Sequence, residues 1–300
     1  MSIVSLFCEI HDFFMMYETY LSPHCLAKKT PSERRGRRRS LHASEVMTLL
    51  VAFHESNYRT LKHFYERHVC VYWCAEFPNL VSYSRFVQLQ QEVLTLLTLY
   101  LYTRLGACSG ISFVDSTPLC VCDNRRISKH RVFIADAQRG KTSMGWCYGF
   151  KLHLIINDAG ELLSFLFTPA NTDDRHPLAT LVATGVFGNL YADRGYISKD
   201  LRQMLSKRGI NLVYKVRKNM QPLPLSVADE VLLKKRVLIE SVIKELKTQT
   251  QLEHTRHRSL KNFQVNAIAA LIAYTYLLKK PTLNMRELQE LKDLPMPFNF

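Results

Sequence analysis

A change of hydrophobic period near residue 107 constrains this chain more than any other feature. Residues 1–106 repeat apolar side chains at helical spacing: Val46, Leu49, Leu50 and Phe53, then Leu61, Phe64 and Tyr65, then the run from Phe86 to Tyr102. From Gly110 onward the spacing becomes that of strands. ISFVDST, WCYGFKLHLIIN and ELLSFLFTPAN follow one another, and Asn157-Asp158-Ala159-Gly160 supplies a hairpin turn between the last two. The chain therefore reads as an all-helical domain over 1–106, an α/β domain over 107–280 and a tail over 281–300. A short-helix pattern ending in SYSRFVQLQQEV makes a helix-turn-helix possible in the first domain, and a small supporting bundle equally so.

Beyond the three strands, helix signals run from Asp174 to about Ala183 and from Asp200 to Lys207, the latter closed by Gly209. Strands NLYAD and INLVYKV alternate with them, and two longer helices are expected, from about Val231 to Thr248 and from Leu260 to Lys279. The order βββαβαβαα on a mixed sheet is that of a ribonuclease-H-like fold.

Charge narrows the partner. The chain carries 40 Lys plus Arg against 26 Asp plus Glu, a net +14. Such a surplus points to polyanions, with nucleic acid first among them. It is concentrated after residue 106, where 28 basic residues face 17 acidic ones. The segment TPSERRGRRR (30–39) reads as a solvated basic linker or arm. Eight cysteines in a chain of this size are expected to be reduced, Cys120 and Cys122 packing as small apolar groups, and the Cys120-Val-Cys122 spacing does not suit a zinc site. The N-terminal stretch contains Glu9 and Asp12 and lacks a basic leader, and the apolar run Ala267 to Leu278 is shorter than a membrane span. A soluble, cytoplasmic protein is expected.

Three acids carry the chemistry. Asp115 lies inside the apolar strand ISFVDST and Asp193 ends the apolar run NLYAD, so two strands each deliver a carboxylate whose burial needs compensation. Glu240 lies in the helical stretch KKRVLIESVIKELK. With Arg236 at zero and about 100° per residue, Glu240, Lys244 and Lys247 fall within about 80° of it, whereas Leu238, Ile239, Val242 and Leu246 form the opposing buried arc. Oxygen donors converging from separate elements suit hard divalent cations, and two such ions can drive in-line displacement at phosphorus. Arg194, Lys151 with its strand neighbour His153, and the cluster Lys215, Arg217 and Lys218 are candidate contacts to a DNA backbone. Asn171, Asp173 and Asp174 are expected to cap the helix that follows them.

With these residues in place, the sequence resembles the DDE transposases of bacterial insertion sequences, and most closely the insertion sequence 982 family. The resemblance rests on SFVDSTPL, NRRISKHRVF, RGKTSMGWCYGFKLHLIIN, TPANTDDR, YADRGYIS and the Arg236-x₃-Glu240-x₆-Lys247 helix. Leu233 stands where related families often place a tyrosine. The resemblance implies a ribonuclease-H-like catalytic domain whose triad is Asp115, Asp193 and Glu240, flanked by Arg236 and Lys247. It further implies Mg²⁺, with Mn²⁺ able to substitute and two ions bound, and double-stranded DNA as substrate, both transposon terminal repeats and target. A homodimer or larger assembly on paired ends is expected. Two other readings stay open: a nuclease or junction resolvase of the same fold, and a DNA-binding protein without catalysis.

Overall fold

The computed structural model describes residues 2–21, 41–142, 145–216, 220, 224–253 and 257–283. The basic stretch 30–39, Arg217, Lys218 and most of the expected tail lie outside them. The chain divides into a helical unit, Met1–Arg104 with Leu246–Tyr276, and an α/β unit built on Leu105–Glu245. The first boundary falls beside the change of period. The second differs from the expected layout, because the last long helix belongs to the helical unit.

In the helical unit, α1 (Ile3–Met16) starts where Ser2 Oγ accepts from the Ser5 N–H, and it buries Leu6, Ile10, Phe13 and Phe14, an i, i+4, i+7, i+8 stripe. α2 (Ala43–Glu55) opens on a capping box made by His42 and Glu45. α3 (Leu61–Phe64) continues through a π-helical stretch, Tyr65–Val69, and a last turn, Cys70–Tyr72. Ten residues separate it from α4 (Tyr83–Leu89), longer than the connection of a compact helix-turn-helix. A 3₁₀ turn at Gln90–Val93 then splits the expected single helix before α5 (Leu94–Thr103).

In the α/β unit, β1 (Ile111–Cys120) is the central strand. It pairs antiparallel with β3 (Gly145–Asn157) and parallel with β5 (Gly188–Tyr191), which pairs parallel with β6 (Ile210–Val213). The far edge of β3 is shared by β2 (Gln138–Thr142) and β4 (Leu162–Pro169). The path β4-β3-β1-β5-β6 thus has three antiparallel strands followed by two parallel ones, as a ribonuclease-H-like order requires. β2 has no apolar alternation and forms by backbone pairing with β3. One face of the sheet closes over Val114, Ile155, Leu163, Leu190 and Leu212, each contributing roughly 1.5–3 kcal/mol by burial.

The helices between the strands are shorter than expected. The stretch after Asp174 forms only α6 (Leu178–Leu181), extended by a 3₁₀ turn. α7 (Lys199–Ser206) is capped by Ser198, and Gly209 follows it at φ +73°, a conformation that glycine adopts without strain. The expected helix 231–248 is two: α8 (Val227–Lys234), opened by a Ser226–Asp229 capping box, and α9 (Val237–Thr248). The break falls at Lys235 and Arg236. α10 (Leu260–Thr275) is almost wholly buried, as its composition suggested.

One cysteine expectation fails. Cys120 and Cys147 form a disulfide, because the β1–β3 pairing brings their Cα atoms to 5.3 Å. Cys8, Cys70, Cys74, Cys108 and Cys122 are free. Among the described residues, no helix is long and apolar enough to cross a membrane.

Candidate active site

The pairing of β1 with its neighbours determines what surrounds Asp115. Its carboxylate emerges from a strand whose preceding residues Phe113 and Val114 are fully buried, and it is one-fifth exposed. The Ser116 N–H donates to Oδ1 at 2.8 Å. Arg236, at the break between α8 and α9, sets Nη1 at 3.7 Å from Asp115 Oδ2 and Nη2 at 3.3 Å from Glu240 Oε1. That break lets one guanidinium address a strand carboxylate and a helix carboxylate together. Nη1 is buried and makes no hydrogen bond among the described residues, with Asp115 Oδ2 its ion-pair partner.

Burial pushes the Asp115 carboxyl up to about 6 from an ordinary 3.8. The Arg236 charge and the Ser116 N–H pull it back, and the negative charges of Asp193 and Glu240 push it up further. The three sequence-identified acids therefore share one electrostatic field. Asp193 follows β5, where its Oδ1 accepts from the Gly195 N–H at 2.6 Å. A side chain on Gly195 would bring its Cβ to 2.9 Å from that same oxygen, which explains the glycine in Asp-Arg-Gly.

Two further residues, Ser116 and Tyr196, escaped the sequence reading, and Asp174 takes a part it was not given there. Ser116 Oγ donates to Asp174 Oδ1 at 2.8 Å, so Ser116 links Asp115 to a fourth acid. Asp174 caps nothing: the local turn is held by Asp173, which accepts from the Arg175 N–H. Lys151 Nζ reaches Asp174 Oδ1 at 2.9 Å and the Thr172 carbonyl at 2.8 Å. Lys151, read from the sequence as a DNA contact, is thus paired with Asp174, whose charge it neutralises. His153, fully buried, hydrogen-bonds Thr168 Oγ1 through Nε2 at 2.9 Å, and its pKa falls to about 4, chiefly through burial. Tyr196, in Asp-Arg-Gly-Tyr, is buried with no hydrogen-bond partner for its hydroxyl among the described residues, and its acidity is suppressed by burial and by Asp174, Asp115 and Asp193. The only sequence signal for it was its place three residues after Asp193.

A cleft of about 610 Å³ opens beside Asp193 and Arg236. Arg194, Lys215 and Lys234 supply cations to its wall, and Ala192, Leu225 and Leu233 an apolar floor. Lys244 is exposed on α9. Lys247, expected beside Glu240, instead binds Glu253 at 2.5 Å within the helical unit. The expected buried stripe of α9 is present: Leu238, Ile239, Val242 and Leu246 are all buried.

Among the described residues, no three His, Cys, Asp or Glu side chains already converge as a metal cage. The donor chemistry nonetheless fits a hard divalent cation, since Asp115, Asp193 and Glu240 repel one another through a partly buried space and a cation between them would relieve it.

A family profile described as "Transposase DDE domain" matches residues 105–260, just over half of the chain. A cryo-EM structure of a piggyBac transposase synaptic complex with hairpin DNA is similar at 15% identity and a TM-score of 0.38, covering 67% of this chain and 48% of that one. The chain accordingly spans about half the length of that protein. None of the curated proteins compared matches it.

Proposed function

The chain belongs to the transposases with a DDE domain, and on that premise we propose that it cleaves DNA at transposon ends and joins the freed 3′-hydroxyl to target DNA. Divalent metal is general to such enzymes. We assign its ligands here as Asp115, Asp193 and Glu240, with Mg²⁺ the natural ion, Mn²⁺ a substitute, and two ions the working number. When bound, such ions activate a water or a 3′-hydroxyl and stabilise the leaving oxygen.

The supporting observation is the grouping of Asp115, Arg236 and Glu240, with Asp115 held near pKa 6 by burial and by its fellow acids. In it, Ser116 orients the Asp115 carboxylate, Gly195 keeps space for Asp193, and Arg236, set between Asp115 and Glu240, would donate to a phosphate oxygen. Arg194, Lys215 and Lys234 along the cleft would hold the strand by its backbone without reading its bases, and Lys244 would extend that track. Arg217 and Lys218 are assigned to DNA on sequence alone. The motifs favour the insertion sequence 982 branch, acting as a homodimer or larger assembly on paired ends.

Asp115→Asn should abolish divalent-dependent cleavage while leaving duplex binding intact. Cleavage surviving in that variant would remove the triad assignment. Products in which donor strands are joined to target separate transposition from simple hydrolysis, and binding without cleavage under any divalent ion would indicate a DNA-binding protein.

A further inference from the structure

The chain that leaves β1 carries an exposed cationic surface with no assigned role. Between residues 121 and 142, Arg125, Arg126, Lys129, Arg131, Arg139 and Lys141 are all exposed, against two acids, Asp123 and Asp136. Asp123 binds Arg125 at 3.1 Å. Arg126, Lys129, Arg131 and Lys141 pair with no carboxylate among the described residues.

This segment is built, not slack. The Cys120–Cys147 disulfide fastens its base. Asp123 caps a 3₁₀ helix, Asn124–Lys129, which presents three of the cations. Phe133 is buried against Phe150 with ring centroids 5.6 Å apart, and the Tyr148 hydroxyl donates to the Phe133 carbonyl at 3.3 Å. Phe133 sits at φ +61°, a region a bulky side chain occupies only when its surroundings enforce it. On β2, the Arg139 guanidinium lies 4.3 Å above the ring of Trp146, itself 46% exposed, so that cation too is held in place. Fixing like charges side by side is unfavourable unless a polyanion meets them.

We propose that residues 121–142, with Trp146 beside them, are a second DNA-backbone contact, separate from the cleft and reached by the duplex as it leaves the scissile phosphate. From Asp115 to Cys120, β1 advances about 17 Å at roughly 3.3 Å per residue. The proposal rests on the reading of the protein as a DNA enzyme, and its test keeps the two apart.

The test titrates the full chain with a mixed-sequence duplex of about 40 base pairs, by fluorescence anisotropy between about 50 and 200 mM salt. Each phosphate neutralised adds about 0.9 to the slope of log affinity against log salt. Combined Arg126→Ala, Lys129→Ala and Arg131→Ala should lower that slope by about 2.7, so that the unaltered protein loses roughly 40-fold more affinity across this salt range than the variant does. The companion variant Arg126→Lys with Arg131→Lys keeps the charges and should keep the slope. An unchanged slope in the alanine variant overturns the second contact while leaving the active-site reading standing. Failure of the unaltered protein to bind duplex at any salt overturns both.

Discussion

Replacing Asp115 with asparagine removes a charge that the fold holds against its own preference. In the folded protein the carboxyl titrates near 6 instead of 3.8, so ionising it there is harder than in the unfolded chain by about two pH units. At 1.36 kcal/mol per unit, and with the side chain one-fifth exposed, the penalty at neutral pH is about 2–3 kcal/mol. The sign follows from linkage. A raised carboxyl pKa gives stability that is complete below the unfolded value and is lost as pH climbs from about 4 to about 6. Asp115→Asn, having no charge to ionise, should therefore melt higher than the unaltered protein above pH 6.5, by roughly 5–10 °C, and the two curves should meet near pH 3.5–4. The assay is thermal unfolding with a chelator present. A difference that is absent at pH 7, or that widens on acidification, would refute the claim that burial and neighbouring acids strain Asp115. Added Mg²⁺ should then raise the melting temperature of the unaltered protein far more than that of the variant.

Other expectations follow from the same geometry. Asp174→Asn should lower cleavage by about 10–100-fold through Ser116 and Asp115, with the apparent metal requirement rising, whereas a purely structural role would leave that requirement unmoved. Gly195→Ala would force its new Cβ against Asp193 Oδ1, so turnover should fall well beyond any change in melting temperature. Arg236→Lys keeps the charge but loses the two-armed reach to Asp115 and Glu240, and single-turnover cleavage should drop by at least about tenfold. His54 is buried against the Thr250 carbonyl with its pKa lowered to about 4, so the stability of its neutral form, complete above pH 6.5, should drain away as pH falls towards 4; His54→Gln should flatten that part of the curve in acid unfolding.

Local pattern made some of this molecule legible and left the rest dark. The switch of period near residue 107, the acid inside ISFVDST and the apolar arc of α9 are local signals, and each corresponds to what the strands and helices do. β2 was invisible because QRGKT has no apolar face and exists through its ladder to β3. The break at Lys235 and Arg236 was masked by a helical rhythm that continues on both sides of it. Lys151, Asp174 and Tyr196 come from stretches far from Asp115 in sequence, so only the folded chain reveals that they gather around Ser116 and Asp115. Lys247 kept its helical phase and still found Glu253, a partner from beyond the end of its own helix.

The helical unit is assembled from two stretches of chain with Leu105–Glu245 of the α/β unit inserted between them. Its seam is visible where Glu9 accepts from both Arg104 and the Tyr276 hydroxyl, at 3.2 and 2.9 Å, and where the Arg104 guanidinium lies over the Tyr276 ring. During synthesis the first stretch emerges without α10, the element that packs on α2 and α5. The inserted unit has all its strands available first and can condense earlier, while the apolar sides of α2 and α5 wait uncovered until residue 276 has been made. A message truncated after Glu240 but before residue 276 yields a protein with its active-site residues present but an open helical unit, prone to chaperone capture and proteolysis. Only once α10 has been translated can the apolar sides of α2 and α5 be covered.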